Sequence, residues 1–509
     1  VGSEMCIRDR ASIDRLLAGA LYVNVHSVAA PGGEIRGQIL PDGFVLLFSD
    51  LTGSESVPEI NSSASGRAAT TLDPATGAVT IHAQVTDLDD ATGAHLHQAF
   101  AGATGPVLVA LTMDMSVTGH WFAEGDVLNA AGLDAFDSGQ LYVNVHSPAY
   151  PAGEIRGQVI PEGIVVLFAE LSGAQEVPSV DSTADGLASL TLNEAASTLT
   201  AHVNTRGLDD ASGSHLHNAF GGRNGPVTIG LIQDGGNPAH WFAEQEPLDA
   251  AQLAAVLAGS TYVNVHTPDN PGGEIRGQVI PDDIIFAFGS LDGSQQVPLV
   301  DTTAGGTFAV TANTIAGTVV AHVNTIGVDD ATGAHIHDGY AGTNGGVAIG
   351  LTQDAGDVTL WSAIDAPADA AQLAALAAGR YYANVHTPAN PGGEIRGQVA
   401  PESIEVLFTP MSGGQEVPAN ASTASAIAAS TVDLEAGTIT LHANATGVDD
   451  ATAAHIHLGF AGENGGVLIG LTQDAGDVTL WSAIDAPADA AQLAALAAGR
   501  YYANVHTPA

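Results

Sequence analysis

A histidine pair returns every 120 residues along this chain, as His95/His97, His215/His217, His335/His337 and His455/His457. Trp121, Trp241, Trp361 and Trp481 keep the same interval, and His26, His146, His266, His386 and His506 each close a Tyr-x-Asn-Val-His segment. An internal period decides what counts as a domain before any other reading. This one is far longer than a solenoid repeat and close to the size of an autonomous domain, so it predicts tandem globular units, each with its own core. Residues 44–163, 164–283 and 284–403 are read as three full units and 404–509 as a fourth, truncated at its C-terminus. Residues 11–43 correspond to the last third of a further unit. Residues 1–10 match nothing in the repeats and are read as a non-native extension.

The third unit illustrates the local reading. The apolar run Ile284–Phe288 predicts a buried strand, while Pro298 bars the turn-rich passage Leu291–Pro298 from a central strand. Thr307–Thr311 and Thr318–Thr325, β-branched and bounded by turns, predict a hairpin. Alternation puts His322 and Asn324 on one face and Ala321 and Val323 on the other. Gly346–Leu351 predicts a further strand. Ala368–Gly379 is the one helical signal, with Asp369 as cap, Leu373 and Leu376 on the buried face and Gly379 at the C-terminal end. Tyr382–His386 and Gly393–Val399 alternate and pair across a Pro-Gly-Gly turn. Seven or eight short strands with one short helix predict an all-β fold, a tandem series of antiparallel β-sandwich or flattened-barrel domains.

Charge narrows the partners. The formal net charge is −44, from 12 basic and 56 acidic residues, and every basic residue is Arg. Such a surface repels phosphate backbones and anionic lipid, so nucleic-acid binding is not expected. Apolar runs such as Ile164–Phe168 are too short to span a bilayer, and no membrane insertion is expected. The lone cysteine, Cys6, lies outside the repeats, which leaves them without disulfides or Cys-ligated zinc.

The histidines carry the candidate chemistry. They form three series: His82, His202, His322 and His442; the pairs His95/His97, His215/His217, His335/His337 and His455/His457; and His146, His266, His386 and His506. Strand residues two apart share a face at roughly 7 Å, and two imidazoles so placed can converge on one ion at about 2.0–2.1 Å. If the strands bearing His322, His335/His337 and His386 are neighbours, three or four imidazoles meet, a donor set suited to Zn or Cu. The alternative is that the same histidines hydrogen-bond loops across a sheet face. Asp329-Asp330 offers oxygen ligands for Ca²⁺ or ordinary turn chemistry. Arg36, Arg156, Arg276 and Arg396 recur beside Glu34, Glu154, Glu274 and Glu394. They predict a structural arginine that anchors a carboxylate. No second carboxylate or nucleophile accompanies these pairs, and no catalytic residue is assigned. The Trp and the Tyr382-type residues are read as core anchors with their polar tips paired.

Several spaced motifs agree across the units: Gly-Gln-Glu-Val-Pro at 414–418, Ala-His-Ile-His-x-Gly-x-Ala-Gly-x-Asn-Gly at 334–345, Tyr-x-Asn-Val-His-Thr at 382–387 and Pro-Gly-Gly-Glu-Ile-Arg-Gly-Gln at 391–398. Together they closely resemble the CHRD domain, named after chordin and found repeated in secreted bacterial proteins. The resemblance implies an exported, β-rich module at the cell surface or beyond it, with an extracellular protein or surface ligand as partner. A weaker likeness to copper/zinc superoxide dismutases rests on His-x-His on the outside of a β-barrel. It departs in lacking the bridging histidine and the disulfide cysteines, and in placing Leu360 and Leu480 where earlier units have His120 and His240. The leading expectation is therefore a non-catalytic array of structural or binding modules without a cofactor. Its rival is a Zn- or Cu-binding protein using the sixteen histidines named above.

Overall fold

The computed structural model describes residue 13 and residues 15–508. The extension expected at residues 1–10 and Cys6 lie outside the described residues. The third unit contains β1 (Ile284–Leu291), β2 (Gly305–Asn313), β3 (Thr318–Ile326), β4 (Gly333–Asp338), β5 (Gly346–Gln353), β6 (Leu360–Pro367), α1 (Ala370–Ala377), β7 (Tyr381–His386) and β8 (Ile395–Val399). Every pairing is antiparallel, in the order β1-β2-β3-β6-β5-β4-β7-β8.

The two outer strands then meet. Asp292, just past β1, and Arg396 in β8 exchange backbone hydrogen bonds of 3.1 and 2.9 Å, so the sheet closes into a flattened barrel. Equivalent seams join Thr52 to Arg156 and Ser172 to Arg276. Closure removes the exposed sheet edges that would otherwise pair with other chains.

Alternation explains the core. Val310, Ala321, Val323, Ile336, Trp361, Ala383, Val385 and Ile395 point inward and form one buried cluster. α1 covers one end of it. The Asp369 side chain accepts from the amides of Ala371 and Gln372, and Gln372 returns a bond to the Asp369 amide, a capping box contributing about 1 kcal/mol. Leu376 is buried and Leu373 half-buried, as the pattern predicted. The Trp361 ring is buried, but its indole N–H finds no partner, contrary to the paired tip expected of it.

Consecutive units touch through repeated contacts. Asn204, Asn324 and Asn444 each donate a side-chain N–H to a carbonyl of the preceding unit, at Gly102 (2.9 Å), Gly222 (2.9 Å) and Gly342 (2.7 Å). No helix among the described residues is long and apolar enough to cross a membrane.

Candidate metal centre

β4 and β7 lie side by side with Gly333 opposite His386, His335 opposite Asn384 and His337 opposite Tyr382. His335 and His337 share the outer face, and His386 reaches it from the neighbouring strand. Gly333 has no side chain to separate the rings: a Cβ there would lie 3.3 Å from His335 Cε1. Ring centroids are 5.5 Å apart for His335–His337, 5.0 Å for His335–His386 and 5.6 Å for His337–His386.

The nitrogens are sorted by backbone carbonyls. His337 Nδ1 lies 3.0 Å from the Gly345 oxygen, and His386 Nδ1 lies 3.1 Å from the Pro391 oxygen. A carbonyl only accepts, so each Nδ1 carries the proton and each Nε2 keeps a lone pair. Both Nε2 atoms are buried without a partner, and so is His335 Nδ1. The same three atoms stand unpartnered at His215/His217/His266 and at His455/His457/His506. In the first complete unit His95 Nδ1 and His146 Nε2 approach each other to 2.9 Å, and His97 Nε2 remains alone.

Within each of these four groups the ligand atoms lie within 4.8 Å of one another. A tetrahedral ion with bonds of about 2.0–2.1 Å needs nitrogens about 3.3 Å apart, so small side-chain rotations close each group around it. Burial holds the pKa of His335, His337 and His386 below the ordinary imidazole value, which favours the neutral form that a metal requires. Carbonyl-tied Nδ1–H with free Nε2 is the outer-shell arrangement that orients metal-binding histidines.

Behind His337 lies a stack that spacing alone did not reveal. The His337 ring packs on Tyr382, centroids 5.0 Å apart, and the Arg396 guanidinium covers the other side of Tyr382 at 3.5 Å. Arg396 donates to the carbonyls of Thr343 (2.7 Å) and Tyr340 (3.1 Å) and to Gln398 Oε1 (3.1 Å). Its expected carboxylate partner is absent, because Glu394 instead accepts from Thr302 and Thr387. The Tyr382 hydroxyl accepts from the Gly345 amide at 3.0 Å. Arginine, tyrosine and histidine thus hold one loop, residues 339–345.

A family model, the CHRD domain, matches residues 7–39, 47–159, 167–279, 288–399 and 407–509. The chain belongs to the CHRD domain family. No curated protein and no solved structure matches it significantly.

The CHRD units do not bring all the predicted histidines together. His82, His202, His322 and His442 sit on β3 or its counterpart, and β6 and β5 intervene between β3 and β4 in the sheet. His322 therefore stays out of the group, on the face that meets the preceding CHRD unit, where it bonds Ser362 Oγ at 2.8 Å. His202 instead bonds His240 Nε2 at 3.0 Å, and His442 bonds Ser482 Oγ at 2.8 Å. His82 pairs with His120 at 3.2 Å. The loss of His120 and His240 in later units is thus matched by a serine two residues on, where Phe122 and Phe242 stood. Asp329 and Asp330 remain exposed turn residues and join no ligand group among the described residues. A cavity of about 230 Å³ between the first two complete CHRD units is lined by Pro58, Phe168, Asn204 and Arg206, among others, and by none of the grouped histidines.

Proposed function

We propose that this chain is a non-catalytic array of exported CHRD modules in which each three-histidine group captures one Zn or Cu ion. One observation carries this reading: in the second, third and fourth groups, three buried imidazole nitrogens converge without hydrogen-bond partners. Each such orphan costs about 1–3 kcal/mol unless something binds it. Three histidines leave a fourth position open to water or to a partner's donor group. Fourfold repetition supports capture and multivalent display over turnover, since linked copies multiply avidity. The excess of acidic residues attracts cations towards the sites.

Elemental mass spectrometry of the full chain tests this, on protein prepared without an affinity tag and dialysed after exposure to Zn²⁺, Cu²⁺ and Ca²⁺. The expected result is about one Zn or Cu per histidine group and no retained Ca²⁺. His335→Ala/His337→Ala removes one equivalent and leaves the rest. Chains that retain no transition metal sink the reading.

A further inference from the structure

We infer that metal capture in one unit tightens its joint to the next, so that the loaded array is stiffer than the empty one; this rests on the metal-binding reading above. The two sites share loop 339–345. At its end, Gly345 receives the His337 Nδ1 hydrogen bond. At its middle, Gly342 presents its carbonyl to Asn444 of the fourth unit at 2.7 Å. Gly342 has φ +83°, and a Cβ there would come within 2.9 Å of Ala429 Cβ and 3.0 Å of His442 Cβ, so the loop tip lies flat on the next barrel. Tyr340, on the same loop, places its ring 6.3 Å from His442 and donates its hydroxyl to Asp485 at 3.2 Å.

The pattern repeats at the other joints. His97 bonds the Gly105 carbonyl at 2.9 Å while Gly102 receives Asn204, and His217 bonds the Gly225 carbonyl at 3.0 Å while Gly222 receives Asn324. The coupling is through the tautomer. With Nε2 unpartnered, the proton can move there, and Nδ1 then turns a lone pair towards the Gly345 carbonyl and repels the loop. A metal on Nε2 removes that alternative and fixes the N–H on Nδ1. The loop is then held in the shape that the neighbouring unit receives, which lowers the entropy cost of docking.

Coupling is reciprocal, so a weakened joint must also weaken metal binding. The test is hydrogen exchange on the full chain with and without Zn²⁺, together with zinc titration of Asn444→Ala, which alters only the receiving side. Zinc is expected to slow exchange in residues 339–346 about fivefold or more and to protect the contacting strands of the fourth unit. His335→Ala, which makes no bond to the loop, is expected to abolish that protection at this joint alone. Asn444→Ala is expected to lower zinc affinity at the third site severalfold. Zinc bound at full stoichiometry with unchanged exchange and unchanged Asn444→Ala affinity overturns the coupling and leaves the metal reading standing. Absence of bound zinc overturns both.

Discussion

Arg396→Ala is expected to lower the stability of the third CHRD unit by about 3–5 kcal/mol, more than any loss of a surface contact, while leaving units further away intact. Arg396 is only 1% exposed and its pKa is pushed down to about 10 by burial, so it remains charged at neutral pH without a carboxylate beside it. Its stabilisation comes from the Tyr382 face, worth about 2 kcal/mol for a desolvated pair, from the Thr343 carbonyl, which has no other donor, and from the Tyr340 carbonyl, which it shares with the Thr343 amide and hydroxyl. Alanine leaves the Thr343 carbonyl without its donor and opens a void beside Tyr382. Arg396→Met fills the volume without supplying donors and is expected to recover only part of the loss. The chain has several domains and does not unfold in one step, so the readout must be local. Hydrogen exchange across 284–403, compared with 164–283, serves this purpose. Equal protection in variant and parent would show that the guanidinium is dispensable.

How much of this was legible follows from what alternation can encode. The 120-residue period is the interval at which the strands and histidine groups recur, β-branched runs marked the β2–β3 hairpin, and Asp369, Leu376 and Gly379 marked α1. Spacing also put His335 and His337 on one face, and the Tyr-x-Asn-Val-His segment proved to be the adjacent strand. Alternation assigns faces but not neighbours. Whether β3 adjoins β4 depends on long-range pairing, and the insertion of β6 and β5 moved His322 from the supposed metal group to a joint. The hydrogen-bond partner of His337 and two of the three of Arg396 are backbone carbonyls, which carry no residue identity. Only the glycine spacing between His337 and Gly345 hinted that a loop must return there. On the sequence alone the replacement of His240 by Leu360 is only a departure from the dismutase likeness, and the accompanying replacement of Phe242 by Ser362 gives it its meaning. It is a change of partner for the β3 histidine.

Those joint histidines set the acid limit of the array, and the metal-free chain is expected to be most stable near pH 6.5 and to lose stability as pH falls towards 4. Burial pushes the pKa of His202 down to about 3 and those of His322 and His442 down to about 4, against an ordinary value of 6.5. Folded-state values below the unfolded one mean that the unfolded chain takes up protons first. The stability these groups contribute is fully present above about pH 6.5 and is lost as pH falls towards 4. At about 1.4 kcal/mol per pH unit, each withdraws about 3 kcal/mol by pH 4. The damage falls on the joints, because the new charge on His202 faces Arg156 of the preceding unit, with His240 beside it and Glu244 3.6 Å away. His322 faces Arg223 and Arg276 of the preceding unit and bonds Ser362; His442 faces Arg396 of the preceding unit and bonds Ser482.

Two buried glutamates carry the opposite sign. Desolvation raises Glu55 and Glu176 to about 7, so their contribution is present below about pH 4.5 and is lost as pH rises through 7, a window that overlaps that of the histidines and offsets part of their acid loss. Acid also relieves the self-repulsion of a chain carrying −44, which works against the histidines. A variant with His202, His322 and His442 all changed to Gln keeps that relief and loses the titration. Thermal unfolding in chelator at pH 4, 6 and 8 separates the two effects. The parent is expected to lose about 10 °C or more between pH 6 and pH 4, and the variant much less. Matching acid limbs in parent and variant would move the acid sensitivity away from the joints.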